Sequence, residues 1–315
     1  MLFEKYHLRG VFTEPAILPP FKGSTFRGVF GVALKKVVCA LKQQECGSCL
    51  LRQQCIYARI FEAQSEPGSG QPSPPHPFVI EPPLTEKTHF QPGEDFAFTL
   101  LLFGWANDYL PYFIYAFEAM GQLGLGRSIA GKRPGFKLAA VAVDQKIIYR
   151  QDDHLLLKHT PPELQLAYPP PAREGGSLVT VLLETPLRLK YRNTLRAELP
   201  FHVLVRAALR RLAALNQHFG AGEPALDYRG LVARAQEVHI VSQNLSWHDW
   251  RRYSNRQDQA MLMGGMVGQV TYTGELTEFI PLLHYIEQVH LGKATTFGLG
   301  KLRVKYDNSL ETGGK

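Results

Sequence analysis

Four stretches of the chain place apolar residues three and four apart, the spacing of an amphipathic helix. The first starts at Gly23 and lines up Phe26, Phe30, Ala33, Leu34, Val37, Val38 and Leu41, with Ser24 or Thr25 as its expected cap. The second is YLPYFIYAFEAM, Tyr109 to Met120. The third runs from Pro200 to Phe219 with Val203, Leu204, Ala207, Leu212 and Leu215 inward, and the fourth carries Phe279, Leu282, Leu283, Ile286 and Val289 before His290 and Gly292 end it. Between them lie runs that alternate or are apolar throughout, as strands are: Leu2 to Phe12, Phe78 to Ile80, Asp95 to Gly104, Phe136 to Val143, Leu178 to Leu189, Val238 to Trp250, Met261 to Leu276, and Lys301 to Tyr306. Asp95 to Gly104 (DFAFTLLLFG) is apolar enough to be a central strand, whereas Lys301 to Tyr306 alternates charged and apolar residues like an edge strand.

The order strand, helix, strand, strand, helix, strand therefore occurs twice. One such set makes a four-stranded antiparallel sheet with two helices on one face, so the expected fold is α+β, with two tandem ferredoxin-like (RRM-like, βαββαβ) units. The boundaries expected are 1–150 and 178–306, joined by a proline-rich connection at 151–177 and followed by a tail at 307–315. A local string repeats with the units: Leu-Gly-Leu-Gly at 123–126 and Phe-Gly-Leu-Gly at 297–300. The run EPGSGQPSPPHP after Phe61 reads as a surface loop.

A length of 315 residues accommodates two ordinary domains, and 45% hydrophobic with 20% charged residues is a globular composition. No run approaches the ~20 apolar residues that span a bilayer, and the start of the chain lacks a signal-peptide core, so no membrane partner and a cytoplasmic location are expected. The formal charge of +7 favours a polyanionic partner.

The second glycine string gives that partner a place. Glycine has no Cβ to hold a ligand off the backbone, so a turn carrying Gly298 and Gly300, with Lys293, Lys301 and Arg303 beside it, suits a phosphate. Seven arginines and lysines lie between Arg188 and Arg211 against one acid, Glu198; Arg188, Lys190 and Arg192 are the leading cations among them. Arg251, Arg252 and Arg256 are interleaved with Trp247, Trp250 and Tyr253, a mixture that pairs with RNA phosphates and stacks on unpaired bases. The four cysteines, Cys39, Cys46, Cys49 and Cys55, fall within one short window with Cys-x2-Cys at its centre. That spacing suits a structural zinc ion, less readily an iron–sulfur cluster, or four thiols in a reducing compartment.

Tandem ferredoxin-like units with a glycine-rich turn after the last helix resemble the RAMP superfamily of CRISPR-associated proteins. The string His290-Leu-Gly-Lys-Ala-Thr-Thr-Phe-Gly-Leu-Gly300 is similar to that superfamily's signature loop. Phe201-His202 with Leu209-Arg-Arg211, Trp247 to Gln257, Met263-Gly-Gly-Met-Val-Gly268, and Phe26-Arg-Gly-Val-Phe-Gly31 before the cysteines and Tyr57 resemble the branch that processes precursor CRISPR RNA. The resemblance implies an endoribonuclease without a catalytic metal, in which the 2′-hydroxyl attacks the adjacent phosphate to leave a 2′,3′-cyclic phosphate. It also implies CRISPR precursor RNA as partner, with other CRISPR effector subunits as further partners. Many members carry a catalytic histidine on or just after the first helix, but this chain has none between Leu8 and Pro75. His290, next to the glycine turn with Lys293 three residues on, and His202 at a helix start are the remaining candidates for acid–base work; His290 at a helix end also suits simple capping. An RNA-binding RAMP subunit without nuclease activity is the alternative within the superfamily. The cysteines alone also suit a metal-binding interaction module.

Overall fold

In the computed structural model, residues 1–42, 45–62, 73–166, 177–190, 194–254 and 259–307 are described; side chains are described for these except residues 177, 250–254, 259–262 and 307. The chain divides into two units, Met1–Glu163 with His218–Gly220, and Leu164–Gln217 with Ala221–Lys315.

The first unit opens with β1 (Phe3–Phe12), the two-residue β2 (Ala16–Ile17) and α1 (Gly23–Val38). After the cysteine segment and a π-helical turn at Ala58–Glu62 come β3 (Phe78–Glu81), β4 (His89–Phe90), β5 (Asp95–Phe103), α2 (Leu110–Leu123), β6 (Phe136–Val143), β7 (Lys146–Arg150) and β8 (Leu155–Leu156). The main sheet has the order β3-β5-β1-β6-β7-β8. Its first four strands form the ferredoxin-like sheet, with the expected central strand between two others. Phe26, Phe30, Phe113 and Phe117 from the helices meet Phe96, Phe98 and Phe78 from the strands; Phe30 and Phe117 stack at 4.8 Å. Ring burial on this scale is the main stabilising term for the unit.

Two expectations change. The first helix starts at Gly23 with Lys22 at its N-cap and no side-chain cap bond, so neither Ser24 nor Thr25 is the cap residue. Residues 151–163, expected in the connection, belong to the first unit: Leu155–Leu156 pairs with β7, and Phe3 donates to the Pro162 carbonyl at 3.0 Å. Most of the proline- and glycine-rich run, and 167–176 of the connection, lie outside the described residues.

The second unit contains β9 (Ser177–Leu187), α3 (Phe201–Phe219), the short α4 (Tyr228–Arg234), β10 (His239–Ser254), β11 (Gln259–Gly274), α5 (Ile280–Val289) and β12 (Leu302–Asp307). Its sheet order is β10-β11-β9-β12, every pair antiparallel, which is the ferredoxin-like order. Lys301–Tyr306 was expected at an edge, and β12 lies there. The two glycine strings share their backbone form: φ is +81° and +101° at Gly124 and Gly126, and +80° and +73° at Gly298 and Gly300. The leucine between each pair, Leu125 or Leu299, is fully buried.

Candidate nucleic-acid interface

The glycine-rich loop is built from the end of α5 to the start of β12. His290 stops the helix by taking φ 58° and ψ 151°, a conformation that L residues hold only when their surroundings enforce it. The enforcement is visible: its Nδ1 lies 2.9 Å from the Leu299 carbonyl, and the residue has no exposed surface. Arg211, from α3, donates to the carbonyls of His290 at 3.2 Å and Val289 at 2.9 Å, so a cation caps the negative end of α5. Burial pushes its guanidinium pKa down to about 10, which leaves it charged at neutral pH.

The rest of the loop is stitched to the end of β9. Thr185 Oγ1 donates to the Gly298 carbonyl at 2.8 Å and accepts from Lys301 N–H at 2.8 Å. Gly300 N–H donates to Pro186, Lys293 N–H to Arg188, and Leu291 N–H to Gly300. A Cβ on Gly300 would sit 1.7 Å from the Leu291 carbonyl oxygen. The turn therefore needs glycine for close packing against its own chain. Gly298 and Gly300 are buried, which corrects their reading as the surface that meets a phosphate.

The catalytic candidates do not converge. His290 is enclosed, so its imidazole meets backbone and cannot touch RNA in this conformation. His202 is half-buried and follows Phe201, whose ring packs on Tyr272 at 4.9 Å. Tyr272 is opposite Val179 in the sheet. The loop is held at Thr185, Pro186 and Arg188, six or more residues along the chain from Val179, and α3 reaches it through Arg211, nine residues beyond His202. Lys293 alone of the three is exposed at the loop's rim.

The cations divide in the same way. The Lys293–Arg188 backbone bond puts Lys293 beside half-buried Arg188 and, two residues on, exposed Lys190. Lys301 and Arg303 instead face Glu184, at 3.8 and 2.5 Å, so Lys301 already has an anion and is a weaker candidate for RNA. Arg211 is turned inward, whereas Arg206 and Arg210 are exposed on α3. Arg192 and Arg256 lie outside the described residues, as do the side chains of Arg251 and Arg252, whose backbone belongs to β10.

The paired strands β10 and β11, with β10 at the sheet's edge, add aromatic surface. Trp247 and Asp249 both lie over Gly264, whose missing Cβ makes room for them. A further polar row runs along β1 of the first unit. Lys5, His7 and Arg9 alternate with the buried residues Tyr6 and Leu8 and so share the open face of the sheet.

Cys39, Cys46, Cys49 and Cys55 are not disulfide-linked and line a single cavity with Lys35, Arg52 and Tyr57. Among the described residues no group of three or more His, Cys, Asp or Glu is placed so that it could hold a metal ion. No helix among them is long and apolar enough to cross a membrane.

Comparison with known proteins bears on both units. Residues 1–161 match the family model AF_1859_N, described as an N-terminal domain, and residues 181–302 match the model of the CRISPR-associated endoribonuclease Cas6. An uncharacterized protein of Archaeoglobus fulgidus is 26% identical over 311 residues, 97% of this chain and 95% of that one. The fold is similar to the product complex of Thermus thermophilus Cas6, with TM-score 0.52 and 16% identity over 96% of this chain and 99% of that one. It is also similar to a chain of a partial Cas6-RT-Cas1–Cas2 complex, with TM-score 0.55 and 14% identity over 98% of this chain and 46% of that one. The Cas6 model covers residues 181–302, most of the second unit's sheet and the glycine-rich loop, and the AF_1859_N model covers 1–161, just over half of the chain; the chain belongs to the family that AF_1859_N describes, and its second unit is similar to the CRISPR-associated endoribonuclease Cas6.

Proposed function

We propose that this protein cuts CRISPR repeat RNA within the precursor transcript to release guide RNAs, without a catalytic metal. The observation that carries the proposal is the Cas6 match over 181–302, the residues that present Lys293 with Arg188 and Lys190 at the rim of a rigid loop. Rigidity matters because a charge held in place before the reaction stabilises a developing negative charge without reorganising. In the reaction the 2′-oxygen gives up its proton and bonds to phosphorus while the 5′-oxygen leaves and takes a proton. The products are a 2′,3′-cyclic phosphate and a 5′-hydroxyl. Lys293 is assigned the phosphate contact, with Arg188 and Lys190 extending it along the backbone. His290 is assigned the part of holding the loop; the base and acid come from other groups, with His202 tested as one of them.

The test is single-turnover cleavage of a cognate repeat RNA, with RNA affinity measured in parallel. Lys293→Ala should slow cleavage by roughly 10²-fold, the usual loss for one charge-stabilising group, with no change in folding. An unchanged rate would remove Lys293 from the site.

A second reading, an RNA-binding RAMP subunit that holds guide RNA in an effector complex without cutting it, is favoured by one observation. Among the described residues the loop rim carries Lys293, whereas His290 is enclosed and His202 is at the start of α3, nine residues before the loop contact Arg211. Tight binding of intact repeat RNA by the wild-type chain would select this reading.

A further inference from the structure

The segment from Cys39 to Cys55 has no core of its own among its described residues. Its described residues up to Cys55 form no strand and no helix. None of its described residues is buried; Leu50 is 78% exposed and Leu51 37%. Its backbone bonds are short turns: Ser48 to Glu45, Arg52 to Cys49, Gln54 to Leu51 and Cys55 to Arg52. Chain that buries so little apolar surface gains little against its own conformational entropy, and a cross-link would stabilise it.

The cross-linking groups are in place. Cys39 leaves α1 with its N–H on the Lys35 carbonyl, and Cys55 accepts from Arg59 at the far end, so the outer two thiols mark where the segment departs and returns. Cys46 and Cys49 flank the turn between them. All four line one cavity of about 20 Å³ with Lys35 and Arg52. That is room for about one water-sized sphere, the scale of a single ion. The charges also balance: four thiolates around a divalent ion carry a net charge of −2, and Lys35 and Arg52 supply two positive charges at the same cavity.

We propose that Cys39, Cys46, Cys49 and Cys55 bind one zinc ion as a closed four-thiolate structural centre that holds residues 39–55 against the end of α1. Each thiol releases its proton on ligation. The thiols surround the cavity without yet converging on one point, so metal binding draws them in and folds the segment in the same step, as in small metal-dependent modules.

The full-length chain, purified without chelator, should contain about one zinc per molecule and negligible iron. Its four thiols should react slowly with Ellman's reagent until a mercurial releases the metal. The double substitution Cys46→Ser/Cys49→Ser should lose the zinc and open Lys42 and Arg52 to trypsin, while the rest of the first unit resists. Less than about half an equivalent of zinc together with four fast-reacting thiols would overturn the proposal. So would two disulfides in the native protein, or iron with sulfide absorbance near ~400 nm, the mark of a cluster. If the double variant fails to fold, the metal content and thiol kinetics of the wild-type chain decide alone.

Discussion

At the residue scale, two neighbours in the glycine-rich loop should behave in opposite ways when changed. His290→Ala removes a buried ring and the partner of the Leu299 carbonyl; it should cost about 2–4 kcal/mol in urea unfolding. The folded fraction should keep its cleavage rate, because the imidazole supports the loop and does not touch RNA. Lys293→Ala should leave stability within about 0.5 kcal/mol and lose function instead. If His290→Ala abolishes cleavage while the melting curve is unchanged, the structural assignment of this histidine is wrong. Thr185→Val is the cleaner probe of the loop's anchoring, since it keeps the shape and removes bonds to Gly298 and Lys301. It should destabilise by about 1–3 kcal/mol, the cost of leaving buried polar groups unmatched. Gly300→Ala should be worse, because the added methyl has no room beside Leu291.

At the scale of elements, both βαββαβ sets and their strand order were legible from periodicity and chain order, because each sheet buries one face and each helix one stripe. What escaped was short or local. The β7 and β8 extension follows a turn at Asp144 with φ 50°, and no glycine announces that turn. The seven-residue α4 depends on the Asp227 cap bond to Gly230 N–H more than on a long apolar stripe. The candidate site was less legible. Glycine next to lysine reads the same whether the glycines face a ligand or pack on their own chain, and only burial separates the cases. Arg211 likewise counts as a surface cation until α5 is seen to end on it. One element-scale clasp has a pH signature. The Lys132 ammonium and the Gly135 N–H hold the Glu14 carboxyl below its ordinary pKa, so the clasp stabilises the fold above that ordinary range and is lost as pH falls through the lowered value. Thermal melting should therefore drop on acidification, and Glu14→Gln should flatten part of that drop; an identical acid profile in the variant would remove the clasp from the account.

For the whole molecule, the formal charge of +7 matters through its placement. Some cations are already matched, as Lys301 and Arg303 are by Glu184; others, such as Lys293, Lys190, Arg206 and Arg210, are on the surface. Repeat-RNA affinity should fall steeply with salt, because each phosphate contact releases counterions, and removing Lys293 and Lys190 together should reduce the log–log slope by roughly 1–2. A salt-independent affinity would contradict the basic rim. The central claim, that this protein cuts repeat RNA without a metal, is tested most directly by incubating the wild-type chain with its repeat RNA in excess EDTA and identifying the new ends. A 2′,3′-cyclic phosphate with a 5′-hydroxyl, formed at an undiminished rate, is the predicted result; intact RNA in a tight complex, or cleavage restored only by adding magnesium, would contradict it.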